Sequence, residues 1–516
     1  METVVTFFND IVWSAALVIL LVVTGLYFSI RMRLFQVRYI LDMARLLFKG
    51  GKSQEGISSF QAIAVSLAGR VGTGNIVGVA TAIFIGGPGA VFWMWLIAFL
   101  GAGSAFVEST LAQIYKQKED GQYRGGPAYY IEKGIGGTFG KYYALLFAVV
   151  TVLACGLLLP GIQSNSISSA ATNAFPIESW MIGAFLIVIL AVVIFGGIRS
   201  IANVATAAVP FMAIAYILVA VIIVIMNISE VPALIGLIFR SAFGLEQQFA
   251  GTVGAMIMIG VKRGLYSNEA GQGTGAHAAG AAEVSHPAKQ GLVQAFSVYI
   301  DTLFVCTATA LMILMTGMYN VSDGDGGLII DNGVYQTNVD GDRDVSGTVV
   351  FTQAGIDKAF HNMDSFQEGF IGFGSYFIAI ALLFFCYTTM LAYYYIAETN
   401  LVYMLKGKLP WMKIVLGLVL IGSAFYGTVS TADLAWQMGD LGVGLMAWIN
   451  VIAILILQKP ALKAFRDYER QYKLQKQGKI DEIVYEPDRE DFKDHNFWVD
   501  EYPRRNEEGY DYPDRN

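Results

Sequence analysis

Apolar residues in this chain come in runs far longer than an amphipathic surface helix needs. Runs of about 20 apolar residues are long enough to cross a lipid bilayer as helices. Eleven are predicted, near 11–30, 58–86, 89–115, 142–171, 178–197, 203–228, 249–281, 287–317, 368–397, 411–428 and 431–457. Two of them are interrupted by polar, glycine-rich stretches: GRVGTGN, from Gly69 to Asn75, and GVKRGLYSNEAGQGTG, from Gly260 to Gly275. Lipid offers no partner to free backbone N–H and C=O groups. A spanning helix is therefore broken only where protein, water or ligand satisfies them.

The basic residues between the runs set an orientation. Arg31, Arg33, Arg38, Arg45, Lys49 and Lys52 follow the first run, and Lys116, Lys118, Arg124, Lys133 and Lys141 follow the third. Arg199, Lys289, and Lys406 with Lys408, follow the fifth, seventh and ninth. Under the positive-inside rule this predicts an N-terminus outside and a C-terminus in the cytoplasm of a multi-pass plasma (inner) membrane protein. No basic segment precedes the first run, so it reads as an anchor rather than a cleaved signal.

Setting the first run aside leaves ten, in two sets of five. The first set begins inside and the second outside, and each begins with a broken helix. The expected fold is all-α and polytopic, with eleven transmembrane helices as a five-plus-five inverted repeat and an extra N-terminal helix. It divides into residues 1–57 (extra helix and basic inner loop), 58–228 (first repeat), 229–457 (second repeat, with an acidic outer loop at 318–367) and 458–516 (charged tail, opening as a basic helix). Glycine-broken helices at corresponding positions in two halves are the sequence signature of a secondary transporter with its site near mid-membrane.

Composition narrows the classes. The chain has 516 residues, 55% hydrophobic and 15% charged, with a formal net charge of −7. Soluble domains carry roughly 25% charged residues. Most charge lies in loops and tail, so nothing argues for a nucleic-acid partner; the partner implied is lipid. Cys155, Cys306 and Cys386 sit in apolar runs, and His277, His286, His361 and His495 are scattered. No nucleophile with a base and no metal cluster stands out, so an enzyme and an organic cofactor are not expected. Asp340, Asp342, Asp344 and Ser346 have the alternating oxygens of a calcium loop, with Val345 where glycine is expected. A solvated acidic hairpin is the plainer reading of that segment.

At the first break, the N-terminus of one half-helix presents N–H groups and a positive dipole end suited to a carboxylate. The C-terminus of the other presents carbonyls suited to Na⁺. Gly72 and Gly74 allow close approach, while Thr73 and Asn75 add side-chain donors and oxygens. Tight helix packing at Gly74 and Gly78 is the structural alternative, but it leaves Arg70, Thr73 and Asn75 unexplained. Lys262, Arg263 and Glu269 read as an inner gate or a structural network, with Arg70 as a possible fourth member. Glu108, Asp301 and Asp440 are further intramembrane carboxylates, usually helix-pairing groups and sometimes proton relays.

The segments GTGNIVGVATAIFIGGPGAVFWMWLIAFLGAG, GGPAYYI, RGLYSNEAGQGTGAHAAGAA and HPAKQGLVQAFSVYIDTLFVCTATALMIL closely resemble the alanine/glycine:cation symporter family, from about Ile57 to Leu457. The resemblance implies a leucine-transporter-like fold and symport of alanine or glycine with Na⁺. It places Thr73, Gly74, Asn75 and Gln163 at the substrate. It also implies a sodium site from Ala68, Val71, Phe385, Thr388 and Thr389, although adjacent threonines in a membrane helix commonly bond their own helix. Met258, Ile259 and Gly260 are weaker candidates to line the substrate side chain. The alternatives are a proton-coupled carrier, with Glu108 or Glu269 involved, and an ion channel.

Overall fold

The structure, a computed structural model, describes residues 2–48, 56–119, 121–324, 326–334, 336–337, 343–344, 348–361, 372–487 and 497–500. Its principal helices are α1 (Glu2–Val12), α2 (Ala15–Arg31), α3 (Ser59–Arg70), α4 (Gly74–Gly86), α5 (Ala90–Ile114), α6 (Gly137–Ala174), α7 (Ser179–Ile194) and α8 (Gly197–Met226). They continue with α9 (Val253–Asn268), α10 (Thr274–Ala281), α11 (Pro287–Thr316), α12 (Phe373–Leu405), α13 (Met412–Val429) and α14 (Ala432–Lys476). Among the described residues, seven helices are long and apolar enough to cross a membrane, or up to nine when the bent pairs α1/α2 and α3/α4 count as one crossing each. The protein is thus a multi-pass membrane protein. The 16-residue α7 is apolar but shorter than those seven.

The first apolar run is more divided than its hydropathy implies. It is two helices meeting at 40° near Trp13 and Ser14. Both lie against the start of α14, where the Trp13 indole donates to the Asp440 carbonyl (2.9 Å) and the Trp448 indole to the Val12 carbonyl (2.9 Å). The predicted basic helix after the last run is not separate either: α14 continues through Pro460 to Lys476.

α5 runs through the middle of the bundle and touches α2, α9, α10, α11 and α14. Between lipid-embedded helices there is no solvent-driven hydrophobic force, so close approach of small residues does the packing. The α6–α13 crossing shows how close: a Cβ on Gly427 would lie 2.1 Å from the Gly161 carbonyl oxygen. The outward faces are apolar, as with Phe211, Ile214, Leu218 and Ile225 on α8.

The acidic 318–367 connection begins with short antiparallel pairs among its described residues, Val321–Ser322 with Leu328–Ile330 and Gln336–Thr337 with Arg343–Asp344, in keeping with a hairpin over 321–346. Its helix Val349–His361 packs on α11 and α12, with Asp357 accepting from the Gly374 amide (2.6 Å) and the Ser375 hydroxyl (3.1 Å). Asp340, Asp342 and Ser346 of the candidate calcium loop lie outside the described residues, and Asp344 is described by its backbone alone.

Candidate functional site

α3 begins with a reciprocal cap, in which the Ser58 hydroxyl accepts from the Gln61 amide and the Gln61 side chain accepts from the Ser58 amide. It ends at Arg70. Val71 is extended, and the helix restarts 51° away. The restart, Gly74–Gly78, is wound as a π-helix, a form concentrated at functional sites. Two backbone N–H groups at this N-terminus meet amide side-chain oxygens. Thr73 N donates to Gln163 Oε1 (3.1 Å), and Gly72 N donates to Asn75 Oδ1 (2.9 Å). The Thr73 hydroxyl pairs with that of Ser166. Thus Gly72, Thr73, Asn75 and Gln163 form one cluster, and Ser166 joins it.

The second break lies further along its run than Gly260. Glu269, Gly271 and Gly273 hold left-handed or positive-φ conformations, with φ of 55°, 89° and 90°. Here glycine has a clear role, since L side chains rarely adopt these angles. Gly273 N donates to Glu108 Oε2 (3.1 Å), and the Thr274 hydroxyl to Glu269 Oε2 (2.8 Å). Tyr266, Ser267 and Glu269 at this break face the first one: a Cβ on Gly74 would lie 3.1 Å from Ser267 Cα and 3.2 Å from a Tyr266 ring carbon, and a Cβ on Gly69 would lie 3.4 Å from Glu269 Oε2.

Asp301 joins the two breaks. It sits in another π-wound segment, Tyr299–Cys306 within α11. Its carboxylate accepts from Asn75 Nδ2 (2.6 Å), the Ser267 hydroxyl (2.6 Å) and the Thr302 hydroxyl (2.8 Å). The Thr309 hydroxyl donates to the Asn75 carbonyl (2.7 Å). Sequence reasoning noticed Asp301 as an intramembrane carboxylate but did not connect it to Asn75. The pairing spans 226 residues and depends on where each helix breaks.

A cluster of oxygens lies beside the first break. The Thr389 hydroxyl is within hydrogen-bond reach of the carbonyls of Ala68 (2.8 Å), Val71 (3.4 Å) and Phe385 (2.9 Å). The Thr388 hydroxyl bonds the carbonyls of Phe384 and Phe385, both at 3.0 Å, within its own helix. All five candidates therefore meet, but only Thr389 ties α12 to the broken helix. An oxygen-only donor set suits a hard cation.

The other candidates lie apart. Ile259 packs on Gly86, and Gly260 on Ala90 and Trp93. Gly260 precedes Glu269 by nine helical positions, or about 13 Å at 1.5 Å per residue. Met258 is half-buried in the same stretch. The four charged gate candidates separate into two groups. Arg263 is bidentate to Asp440 (2.9 and 3.2 Å), Lys262 also reaches Asp440 (2.8 Å), and the Arg263 guanidinium lies 4.0 Å from the centre of the Trp436 ring. Arg70 lies by the breaks, donating to the Gln294 carbonyl (3.1 Å) and the Ser297 hydroxyl, with Glu269 attracting it.

A cavity of about 200 Å³ leads to the first break from the Trp436 end, lined by Val77, Asn165, Ser166, Thr348, Thr428 and Trp436 among others. A larger one of about 570 Å³, lined by Glu132, Lys133, Lys141, Tyr403 and Lys406, touches neither break. Size alone is a poor guide here, because the smaller cavity shares Ser166 with the break. Among the described residues, no three His, Cys, Asp or Glu converge as for a metal centre.

Two half-helices meeting in mid-bundle, with backbone groups turned to a polar pocket, define a membrane transporter rather than a lipid-facing scaffold. The sequence profile of the sodium:alanine symporter family matches residues 1–482, and the chain belongs to that family. It is 55% identical over 97% of its length to "Putative sodium/proton-dependent alanine carrier protein YrbD" of Bacillus subtilis, covering 98% of that protein. It is 48% identical over 90% of its length to the sodium/proton-dependent alanine carrier protein of Bacillus sp. strain PS3, covering 98% of it. It is 40% identical over 92% of its length to "Probable sodium/glutamine symporter GlnT" of Bacillus subtilis, covering 92% of it.

Proposed function

We propose that this protein is a sodium-coupled symporter that carries small neutral amino acids, alanine and glycine, by alternating access. The observation that carries the reading is the pair Gln163 Oε1 and Asn75 Oδ1 on the backbone amides of Thr73 and Gly72. Two oxygens on two adjacent N–H groups mimic the two oxygens of a carboxylate. An amino acid's carboxylate would displace them from the Gly72 and Thr73 N–H groups and settle against Thr73, Gly74 and Asn75, and Asp301 would face its ammonium group. Ala68, Val71, Phe385, Thr388 and Thr389 would hold Na⁺ against the first break.

The remaining parts fit this cycle. Counting α7 and the pair α9/α10 as crossings gives eleven spans, with α3–α8 and α9–α14 as inverted repeats. The loop charges favour an outside N-terminus and a cytoplasmic C-terminus. In that orientation the cavity beside Trp436 is the outer entrance, and Lys262 and Arg263 with Asp440 form an outer gate. That assignment replaces the inner gate expected from sequence. Arg70 and Glu269 then guard the inner side. One Na⁺ entering gains about 2.3 kcal/mol per 100 mV of membrane potential, enough to drive accumulation.

Proton coupling is the second reading. It is favoured by the buried Glu108 carboxylate, which holds Gly273 N and Asn450 Nδ2 at the second break (3.1 and 2.8 Å). The names of two relatives include both ions. The deciding experiment is radiolabelled alanine uptake into proteoliposomes under an inward Na⁺, K⁺ or proton gradient. Accumulation under Na⁺ alone is expected, with glycine competing and glutamine competing weakly. Uptake driven only by protons would replace the sodium reading with the second one. Strong competition by glutamine would overturn the small-substrate assignment.

A further inference from the structure

The chain beyond α14 returns to the bundle and meets it by specific bonds. Residues 481–485 run beside the last turns of α14, where Val484 exchanges two hydrogen bonds with the Gln471 side chain (3.0 and 2.8 Å). The same stretch bonds the connection between α10 and α11. Tyr485 N donates to the Ser285 carbonyl (2.9 Å), and the Ser285 hydroxyl donates to the Ile483 carbonyl (2.8 Å). Further on, the buried Trp498 indole donates to the Gln113 carbonyl (2.7 Å) at the end of α5. Lys116 lies among the rings of Tyr123, Phe497 and Trp498, its ammonium 4.6, 4.7 and 5.1 Å from their centres. This arrangement is cation–π attraction in a desolvated setting.

What this segment touches matters more than that it is ordered. Gln113 and Lys116 also hold the end of α10: Gln113 Nε2 and Lys116 Nζ donate to the Ala282 carbonyl (2.8 and 3.0 Å). Ala282 pairs with Ile57, just before α3, through Ile57 N to the Ala281 carbonyl (3.1 Å) and Glu283 N to the Ile57 carbonyl (3.0 Å). The lower halves of both broken helices, α3 and α10, are thus joined to each other and to one patch. That patch is the seat of Tyr485 and Trp498. His286, the cap of α11, stacks edge-on with Tyr485 (5.1 Å between ring centres) and faces Asp467 of α14 (3.3 Å).

We infer that residues 481–485 and 497–500 form a strap that locks the ends of α3 and α10 remote from Trp436, and that the strap must release before the protein opens on that face. The inference rests on the alternating-access reading for its role in transport, but the lock itself is a property of the fold. Opening that mouth requires the ends of the two half-helices to part. They cannot part while Ala282, Gln113 and Lys116 remain bridged under Trp498.

The test compares the full chain with Trp498→Phe, Trp498→Ala and a truncation after Gln477, all in lipid nanodiscs, by amide hydrogen exchange. Trp498→Phe keeps a ring on Lys116 but removes the indole donor. Exchange at residues 56–62 and 278–286 is expected to rise about tenfold in Trp498→Phe, the equivalent of one lost buried hydrogen bond, and further in Trp498→Ala and the truncation. Residues 432–440, at the opposite end, should not change. In proteoliposomes, alanine counterflow by Trp498→Phe should be faster than in the parent. Unchanged exchange in all three variants would overturn the strap, as would an equal rise at residues 432–440. Faster exchange at the two named stretches in the variants, together with a parent that transports nothing, would keep the lock and refute the transport reading instead. Should the truncation misfold, Trp498→Phe decides alone.

Discussion

At the residue scale, the site depends on a few side chains whose hydrogen bonds have no substitute in an apolar bundle. Asn75 accepts from Gly72 N, donates to Asp301 and lies under the Thr309 hydroxyl. Asn75→Ala leaves a buried carboxylate short of a donor, which costs about 1–3 kcal/mol. Alanine uptake is expected to disappear, with a modest fall in the melting temperature; uptake at the parental rate would refute the role of Asn75. The two threonines differ. Thr389→Val removes the hydroxyl that reaches Ala68, and should raise the half-saturating Na⁺ concentration about tenfold, or about 1.4 kcal/mol. Thr388→Val removes bonds made within α12 and should raise it less. Sodium titration of uptake checks both, and equal effects would show that both hydroxyls serve the ion alike. Thr73 and Asn75 stand out in the sequence because a polar residue in an apolar run has few reasons to be there, whereas Gln163 and Thr389 are singled out only by the family resemblance. Ser166, Ser267 and Asp301 were not assigned. Their partners lie on other helices, and sequence spacing carries no record of which polar groups meet.

At the element scale, glycines that look alike do different things. The polar, glycine-rich stretch in the sequence begins at Gly260. In the structure that glycine is a contact point on α5, and the unwinding comes at Glu269 to Gly273, where φ turns positive. Hydropathy shows that a run is interrupted, but not at which residue the backbone leaves the helix. The same contrast on α13 gives a test. Gly427→Ala would press a methyl onto the Gly161 carbonyl, whereas Gly422 has open space around it. Overpacking of this kind costs about 1–3 kcal/mol. Gly427→Ala should therefore lower the melting temperature in detergent, and Gly422→Ala should leave it unchanged. A similar response from both would mean that helix propensity, not the α6–α13 crossing, governs this helix.

At the scale of the whole molecule, the membrane class and the approximate position of most apolar runs were legible, because bilayer thickness fixes run length. The 40° bend between α1 and α2 was not, and neither was the folded part of the acidic connection. Both depend on contacts with distant segments. A cation that joins α3 to α12 should stabilise the whole bundle, because it binds the native arrangement alone. At a Na⁺ concentration 100 times its dissociation constant, the gain is about 2.7 kcal/mol. The melting temperature should therefore rise with NaCl relative to choline chloride in the parent, and rise less in Thr389→Val. No difference between the two salts would argue against a sodium site at this junction.

The amide oxygens of Gln163 and Asn75 on the Thr73 and Gly72 N–H groups have one more consequence. A carrier that works in cycles must recross the membrane empty, and a bare positive helix end would make that return slow or would draw in stray anions. At the proposed seat the protein's own side chains occupy those N–H groups. If substrate docks there as proposed, its binding is an exchange of partners, not the filling of a void. Its affinity would then be a difference between two sets of hydrogen bonds, which would allow release on the far side without any one contact being weak.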